Sequence, residues 1–216
     1  YGDHRDLHLS IRRQRQMCIR DRNKPTLTFG ARGISRITLT SFGPIKPQHS
    51  GHFGNYAPNP AMNLSKILSS MKDYDGRVVI PGFYDGVTFS DEIKLVMDAV
   101  PDDEDQIKKE LMVASADKVG ENYQEAIQYP SLNVRGLQSG WVRKEVRTIV
   151  PDIAIAEIDV RLVKESNPKR LLSLIKEHII NEGAYVIEGR EPTSDERLSK
   201  KNIIRFLMKK MKLLIK

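Results

Sequence analysis

One cysteine, Cys18, and one tryptophan, Trp141, are all that the 216 residues hold of either type. A lone thiol excludes a disulfide framework and any zinc site built from several cysteines, and it fits a reducing, cytoplasmic setting. No stretch approaches the roughly 20 apolar residues that a membrane-spanning helix needs. The opening also lacks the apolar core and small-residue cleavage site of a secretory signal. Aromatic residues make up only 6% of the chain, and no basic stripe interleaves with them. What is present, 39% hydrophobic and 29% charged residues, is an ordinary globular composition, enough for one medium domain with tails.

A net charge of +7 would point to nucleic acid if it were spread over the fold. It is not. Residues 1–22 carry six arginines against three aspartates, a net of +3, and residues 197–216 carry eight Lys/Arg and no acid. Residues 23–196, with 21 basic and 25 acidic side chains, are therefore at −4. The basicity belongs to the ends, so no nucleic-acid partner is expected of the folded part.

The two ends read differently from the middle. Residues 1–22 show neither strand alternation nor a capped helical stripe, and RRQRQMCIRDR resembles translated sequencing adaptor, which marks the segment as non-native. His4 and His8 stand at helical i, i+4 spacing, but without the glutamate of a metalloprotease HExxH pair they point to no metal. In residues 197–216, Ile203, Leu207, Met211 and Leu214 recur at helical spacing among lysines. That pattern predicts a basic amphipathic tail: a helix lying on a membrane surface is one reading, and a surface helix or an out-of-frame end is the favoured one.

Between the ends, residues 25–42 alternate apolar and β-branched residues around a Gly-containing break, as in two strands or one bent strand. Asn59-Pro60 is a helix start, followed by a stripe of Leu64, Ile67, Leu68 and Met71. Residues 77–80 (RVVI), stopped by Pro81-Gly82, predict a short buried strand. Residues 91–129 are polar and read as a helical insert. Strand character returns in SLNVRG and in RTIVPDIAIAEIDVRLV, where Ala154, Ala156, Ile158, Val160 and Leu162 alternate with Glu157, Asp159 and Arg161. Asn167-Pro168 repeats the helix start, with Leu171, Leu172, Ile175 and Ile179 as its stripe, and AYVIEG closes with a strand. Two one-sided helices against an antiparallel sheet with one polar face predict an α+β fold. Its architecture is a two-layer ferredoxin-like sandwich plus the helical insert.

The runs HSGHFGNYAPNPAMNLSKILSSM, DGRVVIPGFYD and RTIVPDIAIAEIDVRLV, in that order, closely resemble the lid or dimerisation domain of zinc metallopeptidase family twenty. This is the hydrolase family of carnosine dipeptidases, carboxypeptidases, aminoacylases and acetylornithine deacetylases. The resemblance spans residues 24–193 and is nearest the dipeptidase branch. It implies a domain that serves a larger catalytic domain, where two zinc ions activate a water against an amide carbonyl. It implies a homodimer formed through the lid sheet and helix, and a peptide or dipeptide substrate. The histidine of the HSG motif, here His49, would stabilise the developing oxyanion in the partner's site. The threonine of T-[IV]-[IV]-P and the arginine of R-L-V would contact substrate, and they fall on Thr148 and Arg161.

Each assignment has a bland competitor. Histidines in Gly-rich loops are mostly solvated, as His49 would be outside this family. His52 makes an HxxH pair with it, but no Cys, Asp or Glu flanks them at useful spacing, so no metal site is expected. Arg161 shares a strand face with Asp159 and Glu157, where an exposed ion pair worth little would account for it. A planar fork suited to a free C-terminal carboxylate is the functional alternative. Thr148 has the weakest case, since threonine before a Pro-interrupted strand is common.

The family's His-x-Asp segment, bridging aspartate, Glu-Glu pair and late histidine have no counterpart here. The expectation is an excised lid, a truncated reading frame that binds no zinc and is inactive alone. The rival is a free-standing ferredoxin-like interaction module without catalysis. An RNA-recognition domain would need aromatics on its central strands, where this chain has Ala, Ile and Val.

Overall fold

The computed structural model describes residues 31–212. The readings placed on residues 1–22, on His4 and His8, on residues 25–30 and on Leu214 lie outside the described residues. Strand β1 (Gly33–Phe42) is buried at every position but Arg36, and it has neighbours on both edges. The five-stranded sheet runs β3 (Ser131–Ser139), β5 (Ile153–Leu162), β1, β7 (Ile203–Lys212), β6 (Tyr185–Glu188). All neighbours are antiparallel except β6 and β7.

One face of this sheet carries Ile37, Leu39, Ala154, Ala156, Ile158, Val160, Ile204 and Phe206, each 3% exposed or less. Helices α2 (Pro60–Ser70) and α6 (Pro168–Asn181) cover it, burying Leu64 and Ile67 from one and Leu171, Ile175 and Ile179 from the other in the same core. The N-cap signals act as their chemistry requires. Asn59 Oδ1 accepts the N–H of Ala61 at 2.9 Å, and Asn167 Oδ1 that of Arg170 at 3.1 Å, each ahead of a proline that starts the helix. The two helices are pinned by Ser70 and His178, whose Oγ and Nε2 lie 2.9 Å apart. The order β1, α2, β3, β5, α6, β6 is the α+β sandwich that the sequence predicts. The insert of residues 91–129 is helical as read, in three short pieces, α3 (Asp91–Asp98), α4 (Glu104–Leu111) and α5 (Tyr123–Gln128).

Two expectations are corrected. Residues 77–80 form no strand; Val78 makes one isolated bridge to Lys72. The reason is local, because the Val78 N–H donates to the Tyr84 hydroxyl at 2.9 Å and Val79 N–H to the Met71 carbonyl. Val78 and Ile80 still reach the core, at 4% and 3% exposure. The second correction is that residues 203–212 are a strand and belong to the domain, so they are not a helical tail. Ile204 and Phe206 face the helices, while Arg205 and Lys209 face the other way. The helical spacing of Ile203 and Leu207 gives way because β1, buried on both faces, has a second edge whose backbone groups need a strand partner.

Beside the sheet, β2 (Gln48–His49) pairs with β4 (Ile149–Val150) as a separate ribbon. It abuts the end of the sheet where Gly43 N–H donates to the Asp152 carbonyl at 2.7 Å. A side chain at Gly43 would place Cβ 2.7 Å from Pro60 Cδ and 2.9 Å from the Pro151 carbonyl oxygen. Glycine there lets β1, α2 and the ribbon converge.

Candidate functional site

His49 ends β2 and caps the short helix α1 (Ser50–Phe53). Its Nδ1 accepts the Gly51 N–H at 3.1 Å, and a Cβ on residue 51 would stand 2.9 Å from the imidazole Cε1. The small residue lets the ring lie back over its own turn. Since Nδ1 is an acceptor, the neutral ring carries its proton on Nε2, which makes the exposed end of His49 a hydrogen-bond donor. On the neighbouring strand His49 is opposite Ile149, and the N–H of Ser50 donates to the Thr148 carbonyl at 3.1 Å. The fold thus brings His49 and Thr148 to one exposed ribbon. Arg147 stacks its guanidinium 4.6 Å from the Trp141 ring beside it, steadying the loop that carries Thr148.

His52 lies with its ring centre 5.0 Å from that of His49. Two imidazoles, one of them already bonded through Nδ1, do not make a zinc site. Among the described residues no cluster of three or more His, Cys, Asp or Glu side chains is placed to hold a metal. The residues present do not fit the two zinc ions that the family resemblance implies.

Arg161 is elsewhere. It lies on β5 opposite Ile34 of β1 and Ser131 of β3, on the sheet face away from the helices, and is exposed. From Ile153, beside the ribbon, to Arg161 is eight residues of strand, about 26 Å at 3.3 Å per residue. The ion pair that would have accounted for Arg161 is taken by others. Glu157 accepts from Arg135 at 2.8 Å, Lys209 at 3.0 Å and Thr38 at 2.9 Å. Asp159 has Arg135 Nε at 3.2 Å and Arg36 Nε at 3.9 Å. Burial alone would push the Glu157 carboxyl up, but the donors Lys209, Arg135 and Thr38 together hold it below its ordinary range.

A cavity of about 540 Å³ opens elsewhere, between the end of β1, the α1–α2 loop and α7 (Ser194–Ser199), and none of the expected site residues lines it. Its walls include Phe42, Tyr56, Arg197 and Lys200.

Comparison with known proteins settles what kind of domain this is. The model of the peptidase dimerisation domain matches residues 29–185. The chain belongs to that family. The Cys-Gly metallodipeptidase of Candida albicans is 29% identical over 166 residues, 74% of this chain and 33% of that protein. The Beta-Ala-His dipeptidase of Homo sapiens is 26% identical over 159 residues, 72% of this chain and 31% of that protein. Among solved structures, an M20 family metallo-carboxypeptidase from Sulfolobus solfataricus superposes with a TM-score of 0.62 at 32% identity, covering 71% of this chain and 36% of that one. The chain spans about a third of the length of the curated relatives it matches. A peptidase dimerisation domain is therefore the reading that both sequence and fold carry.

Proposed function

We propose that the chain is the lid of a zinc-dependent amide hydrolase of dipeptidase or carboxypeptidase type, and that it works as a homodimer in a cytoplasmic setting. His49 and Thr148 serve the catalytic site of a second copy, and Arg161 grips the substrate carboxylate on the opposite side. The observation supporting this is the separation of the three residues. A dipeptide spans at most about 7 Å, whereas Arg161 stands about 26 Å along β5 from Ile153, the end of the strand that lies beside the ribbon. No single lid brings all three to one substrate. Two lids related by a dimer axis do.

The chemistry asked of each residue is modest and specific. His49 Nε2–H donates to the carbonyl oxygen of the scissile amide, and that bond strengthens as the oxygen takes up negative charge. The Gly51 N–H fixes the tautomer that makes this donation available. Arg161 presents a planar fork to a terminal carboxylate, orienting the peptide so that the amide meets the donor. The metal-activated water lies outside what these residues supply.

The open edge of the sheet supports the dimer. Among the described residues strand β3 has one neighbour, and it exposes Leu137 at 60% and Val134 at 39%, the kind of edge that a second chain covers. Sedimentation of the purified chain should give twice the 24.6 kDa chain mass. In a full-length relative, alanine at the residue aligned with His49 should lower kcat by about 10²-fold or more with little change in KM. An unchanged kcat overturns the catalytic reading. A dimer together with an unchanged kcat favours the interaction module without catalysis.

A further inference from the structure

The sheet face that carries Arg161 is rich in cations, and nearly all have an acid of their own. Arg36 and Arg135 have Asp159, Lys209 has Glu157, and Arg205 has Glu191. The exceptions are at the end of β1 and β5. Ile34 stands directly opposite Arg161 and Gly33 opposite Leu162, so Arg32, one residue ahead of the strand, lies beside the same end of the pair, about 7–8 Å from Arg161 at the diagonal spacing of a sheet. Neither guanidinium has a carboxylate partner among the described residues. Arg32 is half-buried, and burial first and the Arg161 charge second lower its basicity. The two cations feel one another. Ser131 flanks Arg161 on the β3 side, and Tyr123 at the start of α5 is within electrostatic range of Arg32.

Two guanidinium forks side by side without an acid form a receptor for an anion with two charged ends. A C-terminal glutamate or aspartate carries its α-carboxylate and side-chain carboxylate two or three carbons apart, one for each fork. We propose that Arg32 is a specificity-determining residue that reads a side-chain carboxylate on the C-terminal residue of the peptide, while Arg161 holds the α-carboxylate. This rests on the role of Arg161 proposed above and adds to it a substrate class, peptides with an acidic C-terminal residue. A lone Arg161 would treat isosteric acidic and amide residues alike.

The test uses the 216-residue chain and two isosteric probes, Gly-Glu and Gly-Gln, titrated while the arginine Nε–Hε NMR signals are followed. Gly-Glu should bind about fivefold tighter or more, as a charge-assisted contact to a half-buried fork supplies, and should move the signals of both arginines. Arg32→Gln should bring Gly-Glu down to the affinity of Gly-Gln and leave Gly-Gln unchanged. Arg32→Lys, which keeps the charge and loses the fork, should fall between, and far-UV circular dichroism should show both variants folded. Equal binding of the two probes by the unaltered chain, an Arg32 signal that does not respond to Gly-Glu, or a preference that survives Arg32→Gln overturns the proposal. Arg161→Gln separates the two readings. If it leaves Gly-Gln binding intact while Arg32→Gln still abolishes the preference, the α-carboxylate role of Arg161 falls and the reading of Arg32 stands.

Discussion

If the chain stops after Lys200, strand β7 is lost from the interior of the sheet. Ile203, Ile204 and Phe206, at 4%, 0% and 3% exposure, go with it. At about 1.5–3 kcal/mol for each buried side chain of this size, their loss removes about 5–9 kcal/mol before hydrogen bonding is counted. Both neighbours also lose a ladder, since among the described residues β7 is the one strand that β6 pairs with and is the second partner of β1. A domain of this size holds about 5–15 kcal/mol in all. The shortened chain should therefore lack cooperative unfolding in urea, followed by near-UV circular dichroism, and should bind a hydrophobic dye. Point substitutions refine the test, because a strand and a surface helix bury different residues. Ile204→Ala and Phe206→Ala should each cost about 2–5 kcal/mol, whereas Leu207→Ala, at 37% exposure, should cost under about 1 kcal/mol. A shortened chain with an unchanged urea midpoint, or a larger loss at Leu207 than at Phe206, would refute the reasoning.

Other consequences are smaller and separable. Asn167→Ala removes the cap that accepts the Arg170 N–H and should lower stability by about 1 kcal/mol in the same urea assay. Ser41 is fully buried with no partner for its hydroxyl among the described residues, so Ser41→Ala should leave stability unchanged or raise it by up to about 1 kcal/mol. A loss there would mean that the hydroxyl is satisfied after all. The Glu157 carboxyl is held below its ordinary 4.5 in the folded state. The stability it contributes is present above that unfolded value and is lost as pH falls through the lower folded one. Glu157→Gln should accordingly destabilise the chain at pH 7, by an amount that shrinks as pH falls below 4.5, and a pH-independent difference would contradict the assignment.

Much of the fold is legible because the sequence states it redundantly. Asn59-Pro60 and Asn167-Pro168 combine a cap, a proline with the right φ and an apolar stripe, and both start helices. The period-two run ending at Leu162 places Glu157, Asp159 and Arg161 on one face and the core residues on the other. Residues 77–80 mislead because a strand needs a neighbour as well as β-branched residues. Here Tyr84, six residues from Val78, takes the N–H that a neighbour would have used. Residues 203–212 mislead because lysines and long apolar side chains fit both periods, and only the two-sided burial of β1 decides between them. The site divides in the same way. His49 and Thr148 are far apart in sequence, and the two-residue ribbon that joins them is too short to announce itself. Arg32 carries no motif in this reading. Its significance comes from its place beside Arg161 at the end of β1 and from the absence of an acid nearby among the described residues, which are properties of the fold.

The central claim is that His49 and Arg161 of one chain serve two different active sites. It is tested by mixing two inactive variants of a full-length relative, one with alanine at the residue aligned with His49 and the other with alanine at the residue aligned with Arg161, and then exchanging subunits. In the mixed dimer one site receives both lesions and the other receives neither. Dipeptide hydrolysis should therefore return to about a quarter of the unaltered rate once exchange is complete. If both residues act within their own subunit, every site keeps one lesion, and activity stays at the level of the separate variants however long the mixture stands.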